Sequence, residues 1–269
     1  MILVTGASGF LGRHICRELL KRSLDIRLVL RNECDTYADY QVDIIKSKNI
    51  FAEDQEWWLS ALKDVDMVMH LAWYVEPGLC LGSELNLDCL NGTLNFARAC
   101  LRSQISRFVG IGTCFEYDLD CGYLSVDTAL KPISLYGASK ASAYLSLSAL
   151  FANSNIFFSW CRPFYLYGEG EDARRLYPYI HQKLSSSQIA ELSEGSQVRD
   201  YMDVRDAALK IVDIGLSKHQ GPINICTGIG ITVKDFAEAI ADQYGLRHLL
   251  KFGSRQPSAV DPPFVVGLL

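Results

Sequence analysis

Several features that mark other classes of protein are missing from this chain. Its nine cysteines form no C-x-x-C pair and its five histidines are scattered, which indicates neither a disulfide framework nor a metal site. No apolar run approaches the ~20 residues that span a bilayer, and the strand-like start predicts no signal peptide. A formal net charge of −5 argues against a nucleic-acid surface. We expect a reduced, cytoplasmic protein with no nucleic-acid or membrane partner.

The segment from Thr5 to Gly12 is the most informative stretch that is present. Gly6, Gly9 and Gly12 follow the spacing G-x-x-G-x-x-G, between an apolar run that predicts a buried strand and a pattern of apolar residues at helical spacing. Glycine permits a sharp turn and lets a pyrophosphate approach the free N–H groups at a helix start. The segment therefore predicts a dinucleotide site, with an ordinary tight turn as the alternative.

Strand-like and helix-like segments alternate along residues 1–162, as expected for βαβ units. The 269 residues, 49% of them hydrophobic, can bury a substantial core as one large domain or two small ones. The pattern predicts an α/β fold with a doubly wound parallel sheet. We assign 1–162, together with about 203–226, to a dinucleotide-binding domain, and about 163–202 and 227–269 to a small, partly interleaved substrate-binding region. We expect the tail from Pro257 onward to be irregular.

A second motif, Tyr136-x-x-x-Lys140, lies in a segment with helical character. Residues at positions i and i+4 share a helix face, so the phenol and the ammonium can converge. A nearby cation favours the phenolate and lowers the pKa of the tyrosine, which suits general acid–base catalysis; a solvated helix face is the alternative. The helix follows a strand that ends near Gly112-Thr113, at the carboxyl edge of the sheet, where open α/β folds bind ligands.

These motifs belong to an ordered series that runs through nearly the whole chain. Its members are Gly6-x-x-Gly9-x-x-Gly12, His70-Leu71-Ala72, Asn86 with Gly92-Thr93, Gly112-Thr113 four residues before Tyr117, Tyr136-x-x-x-Lys140, Arg162-Pro163, Tyr167-Gly168, and Arg199-Asp200-Tyr201 with Asp203-Val204. In this series the chain resembles the extended short-chain dehydrogenase/reductase family, and within it the nucleotide-sugar epimerase, dehydratase and reductase branch. The resemblance implies a Rossmann fold and a homodimer that acts on a nucleotide sugar.

The resemblance also implies a catalytic triad of Thr113, Tyr136 and Lys140. In such a triad hydride passes between the nicotinamide and the sugar C4, while the tyrosine moves the hydroxyl proton, the lysine holds the nicotinamide ribose and the threonine orients the sugar oxygen. The implied cofactor contacts are Gly6, Ser8, Gly9, Phe10, Leu11, Gly12, Arg31, Leu71, Ala72, Tyr136, Lys140 and Arg162. The implied substrate contacts are Thr113, Cys114, Phe115, Tyr165, Arg174 and Arg199.

Two positions after Thr113 depart from relatives in this branch. Sugar 4,6-dehydratases carry an Asp-Glu pair there as acid and base, whereas this chain has Cys114-Phe115. The cysteine that one family of C3 or C5 epimerases uses would fall on Phe115; Cys114 is either a substitute for it or a structural cysteine. The remaining activities are those that need only the triad, namely a 4-ketoreductase or a 4-epimerase.

A further departure is Tyr165, where many relatives carry an asparagine that contacts the substrate diphosphate. Arg199, together with Arg174 or Arg175, could supply positive charge in its place.

Cofactor choice depends on the end of the second predicted strand. Arg31 lies there, Arg13 follows the glycine turn, and the next acidic residue is Glu33. An arginine accommodates the 2′-phosphate of NADP, whereas an acidic residue binds the ribose diol of NAD; NADP(H) is therefore favoured and NAD is the alternative. We expect an NADPH-dependent 4-ketoreductase of an NDP-4-keto-deoxysugar. The alternatives are an NDP-sugar 4-epimerase with bound NAD, a reductase of a non-sugar ketone or aldehyde, and a non-catalytic dinucleotide-sensing protein.

Overall fold

A seven-stranded parallel sheet forms the centre of the protein. The computed structural model describes residues 1–32, 37, 40–256 and 262–269. In chain order the described strands are β1 (Ile2–Thr5), β2 (Ile26–Leu30), β3 (Asp43–Lys46), β4 (Met67–His70), β5 (Arg107–Ile111), β6 (Tyr123–Leu124), β7 (Phe157–Pro163), β8 (Tyr165–Tyr167), β9 (Ala190–Glu191), β10 (Val198–Arg199), β11 (Tyr201–Asp203), β12 (Gly221–Ile225), β13 (Ile231–Thr232), β14 (Leu250–Lys251) and β15 (Phe264–Gly267). The α-helices are α1 (Phe10–Lys21), α2 (Gln55–Ala61), α3 (Leu85–Leu101), α4 (Leu135–Phe151), α5 (Leu176–Ser185), α6 (Val204–Leu216) and α7 (Val233–Asp242).

The order of strands across the main sheet is β12-β7-β5-β4-β1-β2-β3. β1 lies between β2 and β4, so the chain builds one half of the sheet and then crosses back over β1 to build the other. The carboxyl ends of β1 and β4 therefore flank the topological switch point, which is where open α/β sheets bind ligands. The predicted doubly wound parallel sheet is confirmed.

Helices cover both faces of the sheet, which is why its inner strands are almost entirely apolar. On one face α1 and α6 pack side by side, and Ile15 and Ile211 share a buried cluster with Val4. On the other face α2, α3 and α4 enclose a second cluster that contains Leu3 and Phe96. Successive side chains of β1 thus pack in opposite cores, and this packing fixes the position of the glycine turn at the end of the strand.

The tail departs from the sequence-based expectation. Pro257 lies outside the described residues, but β15 forms close to the end of the chain and pairs in parallel with both β10 and β6. Val265 and Val266 are fully buried. Burial of these side chains, together with two hydrogen-bonded neighbours, stabilises a strand despite the prolines that precede it. The expectation of an irregular tail is therefore wrong for this segment.

The second half of the chain contributes to more than one layer. β12 is the edge strand of the main sheet beside β7, whereas α5 and α7 pack together around a separate cluster that includes Ile180 and Phe236. The division into 1–162 with about 203–226, and a remaining substrate-binding region, stays a prediction. Over the described ranges, no helix has the length and apolar character needed to cross a bilayer, and no His, Cys, Asp and Glu side chains cluster as metal ligands.

Candidate active site

The glycine turn after β1 is built around close backbone approaches. Gly6 has φ +72°, and a Cβ there would lie 2.7 Å from the backbone nitrogen of Ala72 at the end of β4. A Cβ on Gly12 would lie 2.1 Å from the carbonyl oxygen of Gly6. α1 begins directly after Gly9, with no side chain capping its first turn, and Ser8 and Gly9 are exposed. This arrangement leaves the helix-start N–H groups accessible to a phosphate, so the turn fits the pyrophosphate of a dinucleotide.

A buried polar chain holds the ends of β1 and β4 together beneath this turn. His70 forms hydrogen bonds with the hydroxyls of Thr5 (2.8 Å) and Thr93 (2.9 Å). The Thr5 hydroxyl also accepts the N–H of Ala72 at 3.3 Å. Burial lowers the pKa of His70 to about 3, so the imidazole is neutral and acts as a structural bridge between β1, β4 and α3.

The loop after β8 lies against the first turns of α1. His14 Nε2 donates to the carbonyl oxygen of Glu169 at 2.8 Å, and Arg17 pairs with the Glu169 carboxylate at 3.3 Å. The Arg13 guanidinium lies beside Gly170, where a Cβ would come within 2.9 Å of Nη1. Arg31 is exposed at the end of β2. Glu33, the acidic residue that bears on cofactor choice, lies outside the described residues.

Thr113 is presented by a short 3-10 helix, Cys114–Glu116, that follows β5. Its backbone N–H donates to Glu116 Oε1 at 2.8 Å, and its hydroxyl accepts the N–H of Phe115 at 3.3 Å. Gly112 makes room for this turn, because a Cβ there would lie 2.3 Å from Glu116 Oε1 and 2.2 Å from Trp160 Nε1. The backbone of Thr113 is therefore held by a buried carboxylate.

The first turn of α4 packs directly on this 3-10 helix and brings Tyr136 to Thr113. The Ser134 hydroxyl caps α4 by accepting the N–H of Gly137 at 3.1 Å. A Cβ on Gly137 would lie 2.4 Å from the carbonyl oxygen of Phe115, so only glycine allows this approach. The Thr113 hydroxyl is close enough to the Tyr136 phenol to lower its pKa. The structure thus brings together the two hydroxyls that the sequence motifs predict.

Lys140 lies one turn further along α4 and is 3% exposed. Its ammonium donates to the carbonyl oxygen of Ile111 at 2.6 Å and lies 3.9 Å from the centre of the Trp73 ring. Burial lowers the pKa of Lys140 to about 7, against a smaller upward effect of Glu116. Near neutral pH the amine of Lys140 is therefore partly protonated and partly neutral.

The expected lowering of the Tyr136 pKa by Lys140 is wrong for this structure. Burial raises the pKa of the phenol, and the hydroxyl of Thr113 opposes that rise. The physical reason is desolvation, because a buried phenolate loses its hydration. The ammonium of Lys140 contacts Ile111 and Trp73.

Arg162, a predicted cofactor contact, lies in a buried ion pair. Its Nε donates to Glu116 Oε2 at 2.7 Å and its Nη1 donates to the Tyr117 hydroxyl at 2.9 Å. Trp160 Nε1 donates to the same carboxylate at 3.0 Å. Burial raises the pKa of Glu116, and Arg162 opposes that rise. A role for Arg162 at the cofactor stays a prediction, and the observed contacts place it behind the Thr113 turn.

Four of the predicted substrate contacts converge beside Thr113. The rings of Phe115 and Tyr165 are 6.2 Å apart, and the Arg199 guanidinium lies 5.1 Å from the centre of the Tyr165 ring. Arg199 also acts electrostatically on Cys114, whose pKa is raised to about 12, mainly by burial. A thiol with that pKa is a poor acid–base catalyst near neutral pH. The structure therefore favours the structural interpretation of Cys114.

Arg174 lies apart from this group. It bridges Glu76 and Asp172, each at 2.7 Å. It also lines a cavity of about 260 Å³ whose other polar lining groups include Gln197 and Arg255. The prediction that Arg174 contacts the substrate remains open, since its observed partners are carboxylates of the protein.

The sequence analysis missed two residues that contact the predicted triad, Glu116 and Trp73. The first had a signal: Thr113 and Glu116 form the Thr-x-x-Glu pattern of a capping box, which the structure contains. The second had none beyond its place directly after His70-Leu71-Ala72, because its contact with Lys140 joins segments far apart in the chain.

Comparison with known proteins decides the family to which this site belongs. The family model described as the NAD dependent epimerase/dehydratase family matches residues 2–226. The chain belongs to that family. It is thus an enzyme of the short-chain dehydrogenase/reductase type, in the branch of NAD-dependent nucleotide-sugar epimerases, dehydratases and reductases.

Individual members of the epimerase/dehydratase family are distant from this chain. It is 22% identical over 252 residues to the dTDP-6-deoxy-L-talose 4-dehydrogenase (NAD(+)) of Aggregatibacter actinomycetemcomitans, covering 91% of each chain. Among solved structures, it resembles a UDP-N-acetylglucosamine 4-epimerase from Methanobrevibacter ruminantium (TM-score 0.86, 22% identity, 100% of this chain and 89% of the other). It also resembles the UDP-glucose 4-epimerase of Thermus thermophilus in complex with NAD (TM-score 0.84, 22% identity, 99% and 90%). These structural likenesses show the shared fold.

Proposed function

We propose that the protein is an NADPH-dependent 4-ketoreductase of an NDP-4-keto-deoxysugar. The observation that carries the proposal is the packing of the first turn of α4, which contains Tyr136, on the short 3-10 helix that follows Thr113 at the carboxyl end of β5, with Lys140 one turn further along α4. These groups suffice to reduce a ketone when a nicotinamide supplies hydride. The family membership supports a sugar nucleotide as the substrate class.

The chemistry assigned to the chain is a proton transfer and a set of binding contacts. When bound, the nicotinamide of the cofactor supplies the hydride. Tyr136 gives its phenolic proton to the C4 oxygen as that oxygen gains negative charge, and Thr113 donates a hydrogen bond that orients it. The Lys140 ammonium would bind the nicotinamide ribose.

The two positions after Thr113 lack the acid–base pair that a dehydratase carries there. Cys114 and Phe115 stand at the positions of the dehydratase Asp-Glu pair, and the thiol of Cys114 has a pKa raised to about 12. Glu116 is the nearest carboxylate in sequence, but its oxygens accept hydrogen bonds from Thr113, Trp160 and Arg162. A carboxylate held in this way has no oxygen directed at a substrate, which supports reduction over elimination.

The preference for NADPH rests on the cationic side chains around the glycine turn. Arg31 is exposed at the end of β2, and Arg13 lies in the first turn of α1 with its guanidinium donating to the carbonyl oxygen of Ser8 at 3.3 Å. Guanidinium groups bind phosphate through paired N–H donors. Replacing Arg31 by glutamate should raise KM for NADPH at least tenfold and leave KM for NADH unchanged or lower. Equal effects on both cofactors would refute this assignment.

A 4-epimerase with bound NAD is the second candidate. It is favoured by two related proteins, a 4-dehydrogenase that uses NAD(+) and a solved 4-epimerase in complex with NAD. It needs the same three side chains and differs in the fate of the cofactor, which would stay bound, accept hydride from the sugar C4 in its oxidised form and return that hydride in its reduced form.

One assay separates the two candidates. The purified protein is mixed with NADPH, NADH or NAD and a panel of dTDP-, UDP-, GDP- and CDP-linked sugars that contains both 4-keto-6-deoxysugars and 4-hydroxy sugars, and cofactor absorbance and sugar products are followed together. Stoichiometric loss of NADPH with a 4-hydroxy product is expected. Interconversion of NDP-sugar isomers without net cofactor change would identify the epimerase, and no turnover of any sugar by wild type would refute both. The Tyr136→Phe variant is the control for turnover by this site.

We also infer a homodimer formed through α3 and α4. Leu87 on α3 and Leu145 on α4 are 45% and 56% exposed, and Ile133, just before α4, is 72% exposed. Exposed apolar side chains on two adjacent helices are typical of a surface that another subunit covers. Sedimentation equilibrium of wild type and the Leu145→Glu variant tests this, with a dimer expected only for wild type.

A further inference from the structure

Trp73 covers the ammonium of Lys140. It follows Leu71-Ala72 at the carboxyl end of β4, where the switch-point crevice begins. The ammonium of Lys140 lies 3.9 Å from the centre of its ring, on the ring face, and donates to the carbonyl oxygen of Ile111 at 2.6 Å. We propose that Trp73 is a positioning residue for Lys140, holding the ammonium between an aromatic face and the end of β5.

The indole ring is itself held in one orientation. Its Nε1 donates to Asn86 Oδ1 at 2.8 Å, and Asn86 is fully buried at the start of α3. Asn86 Nδ2 donates in turn to the carbonyl oxygens of Cys80 (2.6 Å) and Ser83 (2.8 Å). Every hydrogen-bonding group of the Asn86 amide is thus engaged, and rotation of the indole would leave a buried acceptor unpaired.

The same loop holds the other member of the Tyr136-x-x-x-Lys140 motif. The carbonyl oxygen of Leu81 accepts the backbone N–H of Tyr136 at 3.0 Å, which satisfies a donor in the first turn of α4. The segment between β4 and α3 therefore contacts α4 at two points. The carbonyl of Leu81 binds the backbone N–H of Tyr136, and the ring of Trp73 contacts the ammonium of Lys140. This pair of contacts fixes the angle at which the two side chains enter the site.

The Trp73 face is the nearer of two aromatic rings at the ammonium, since the centre of the Trp160 ring is 5.9 Å away. Among the residues that the structure describes, the titratable groups that act on Lys140 or face it are Glu116 from the 3-10 helix, Cys89 from α3 and His70 from β4. His70 is neutral and Cys89 is a buried thiol with a raised pKa. Only Glu116 brings negative charge, and it is already paired with Arg162. A cation held against an aromatic face is stabilised in its charged form.

The inference rests on the proposed function, since it assigns a task to a residue of the proposed triad. Two variants separate the ring face from the hydrogen bond to Asn86. Trp73→Phe keeps an aromatic face and loses the Nε1 donor, whereas Trp73→Met fills much of the space with no aromatic face. Trp57→Met is the matched control, because Trp57 is a half-buried tryptophan of α2 that contacts Trp58.

The first measurement does not depend on turnover. The rate at which a limiting amount of an amine-reactive acetylating reagent modifies Lys140 is followed by mass spectrometry over a range of pH. Because only the neutral amine reacts, the pH dependence of this rate reports the pKa of Lys140. Trp73→Met should lower that pKa by about one unit, a tenfold shift in the protonation equilibrium. Trp73→Phe should lower it by less, and Trp57→Met should leave it unchanged. An unchanged or raised pKa in Trp73→Met would overturn the inference.

The second measurement is the steady-state rate of reduction, with the sugar and cofactor that the panel assay selects. Trp73→Met should reduce kcat about tenfold at a pH one unit above neutrality and by less at acidic pH, with KM for the sugar unchanged. Trp73→Phe should recover most of the loss. If wild type turns over and Trp73→Met has the same pH profile, the positioning role is wrong. If wild type turns over no sugar, the proposed function fails while the acetylation result still decides the contact.

Discussion

Replacement of Glu116 by glutamine tests the structural basis of the Thr113 turn. The carboxylate is completely buried, and it accepts hydrogen bonds from the Thr113 backbone, Trp160 and Arg162. Glutamine has nearly the same shape, so the substitution removes the charge with little change in volume. Arg162 then remains as a buried cation without its counter-ion, although its guanidinium also lies over the rings of Tyr117 and Tyr144.

The expected loss is large because the remaining charge cannot reach water. Breaking a buried ion pair by removing one partner typically costs about 3–5 kcal/mol. An exposed pair supplies the matched control: Glu56 and Arg102 are joined at 3.2 Å, with 78% and 51% of their side chains exposed. Glu56→Gln should change the free energy of unfolding by less than about 1 kcal/mol.

Chemical denaturation of wild type, Glu116→Gln and Glu56→Gln provides the measurement, with the free energy of unfolding extrapolated to water. The double variant Glu116→Gln/Arg162→Met removes the uncompensated cation and should recover at least half of the loss. The rate of sugar reduction should fall in Glu116→Gln, because the turn that carries Thr113 loses its charged acceptor. If the free energy of unfolding of Glu116→Gln were within about 1 kcal/mol of the wild-type value, the reasoning would be refuted, because the unpaired Arg162 cation would then cost little in the folded protein.

Three further predictions concern α4. Tyr136→Phe should lower kcat by about 10²–10⁴-fold with little change in the folded structure, as measured by reduction kinetics and circular dichroism, because general acid catalysis contributes that much; near wild-type turnover would exclude Tyr136 as the proton donor. Gly137→Ala should destabilise the protein by about 1–3 kcal/mol in thermal or chemical denaturation, since its Cβ would lie 2.4 Å from the Phe115 carbonyl oxygen, whereas Gly82→Ala, with no atom within 4 Å of its Cβ, should be nearly neutral. Lys140 has a pKa of about 7 in the fold and 10.5 ordinarily, so between these values the unfolded chain binds more protons and stability should rise with pH by at most about 1.4 kcal/mol per unit from this group; the corresponding Lys140→Met titration should lack this rise, and identical slopes would contradict the burial of the amine.

The parts that local sequence determines were predictable. The glycine spacing after an apolar strand and the four-residue separation of Tyr136 and Lys140 both depend on neighbours within one or two helical turns. Alternation of apolar strands and helices likewise predicted a parallel sheet, because strands covered on both faces must be apolar throughout. These patterns, taken together as an ordered series, also identified the family.

The tertiary structure alone decided which groups act on one another. Lys140 faces Ile111 and Trp73, and the pKa of Tyr136 is raised by burial, although the motif suggested a phenol and an ammonium acting as a pair. The carboxylate behind Thr113 and the strand at Val265–Val266 depend on partners that are distant in the chain. Such contacts follow from how the layers pack, and periodicity along a single segment contains no information about the element that will face it.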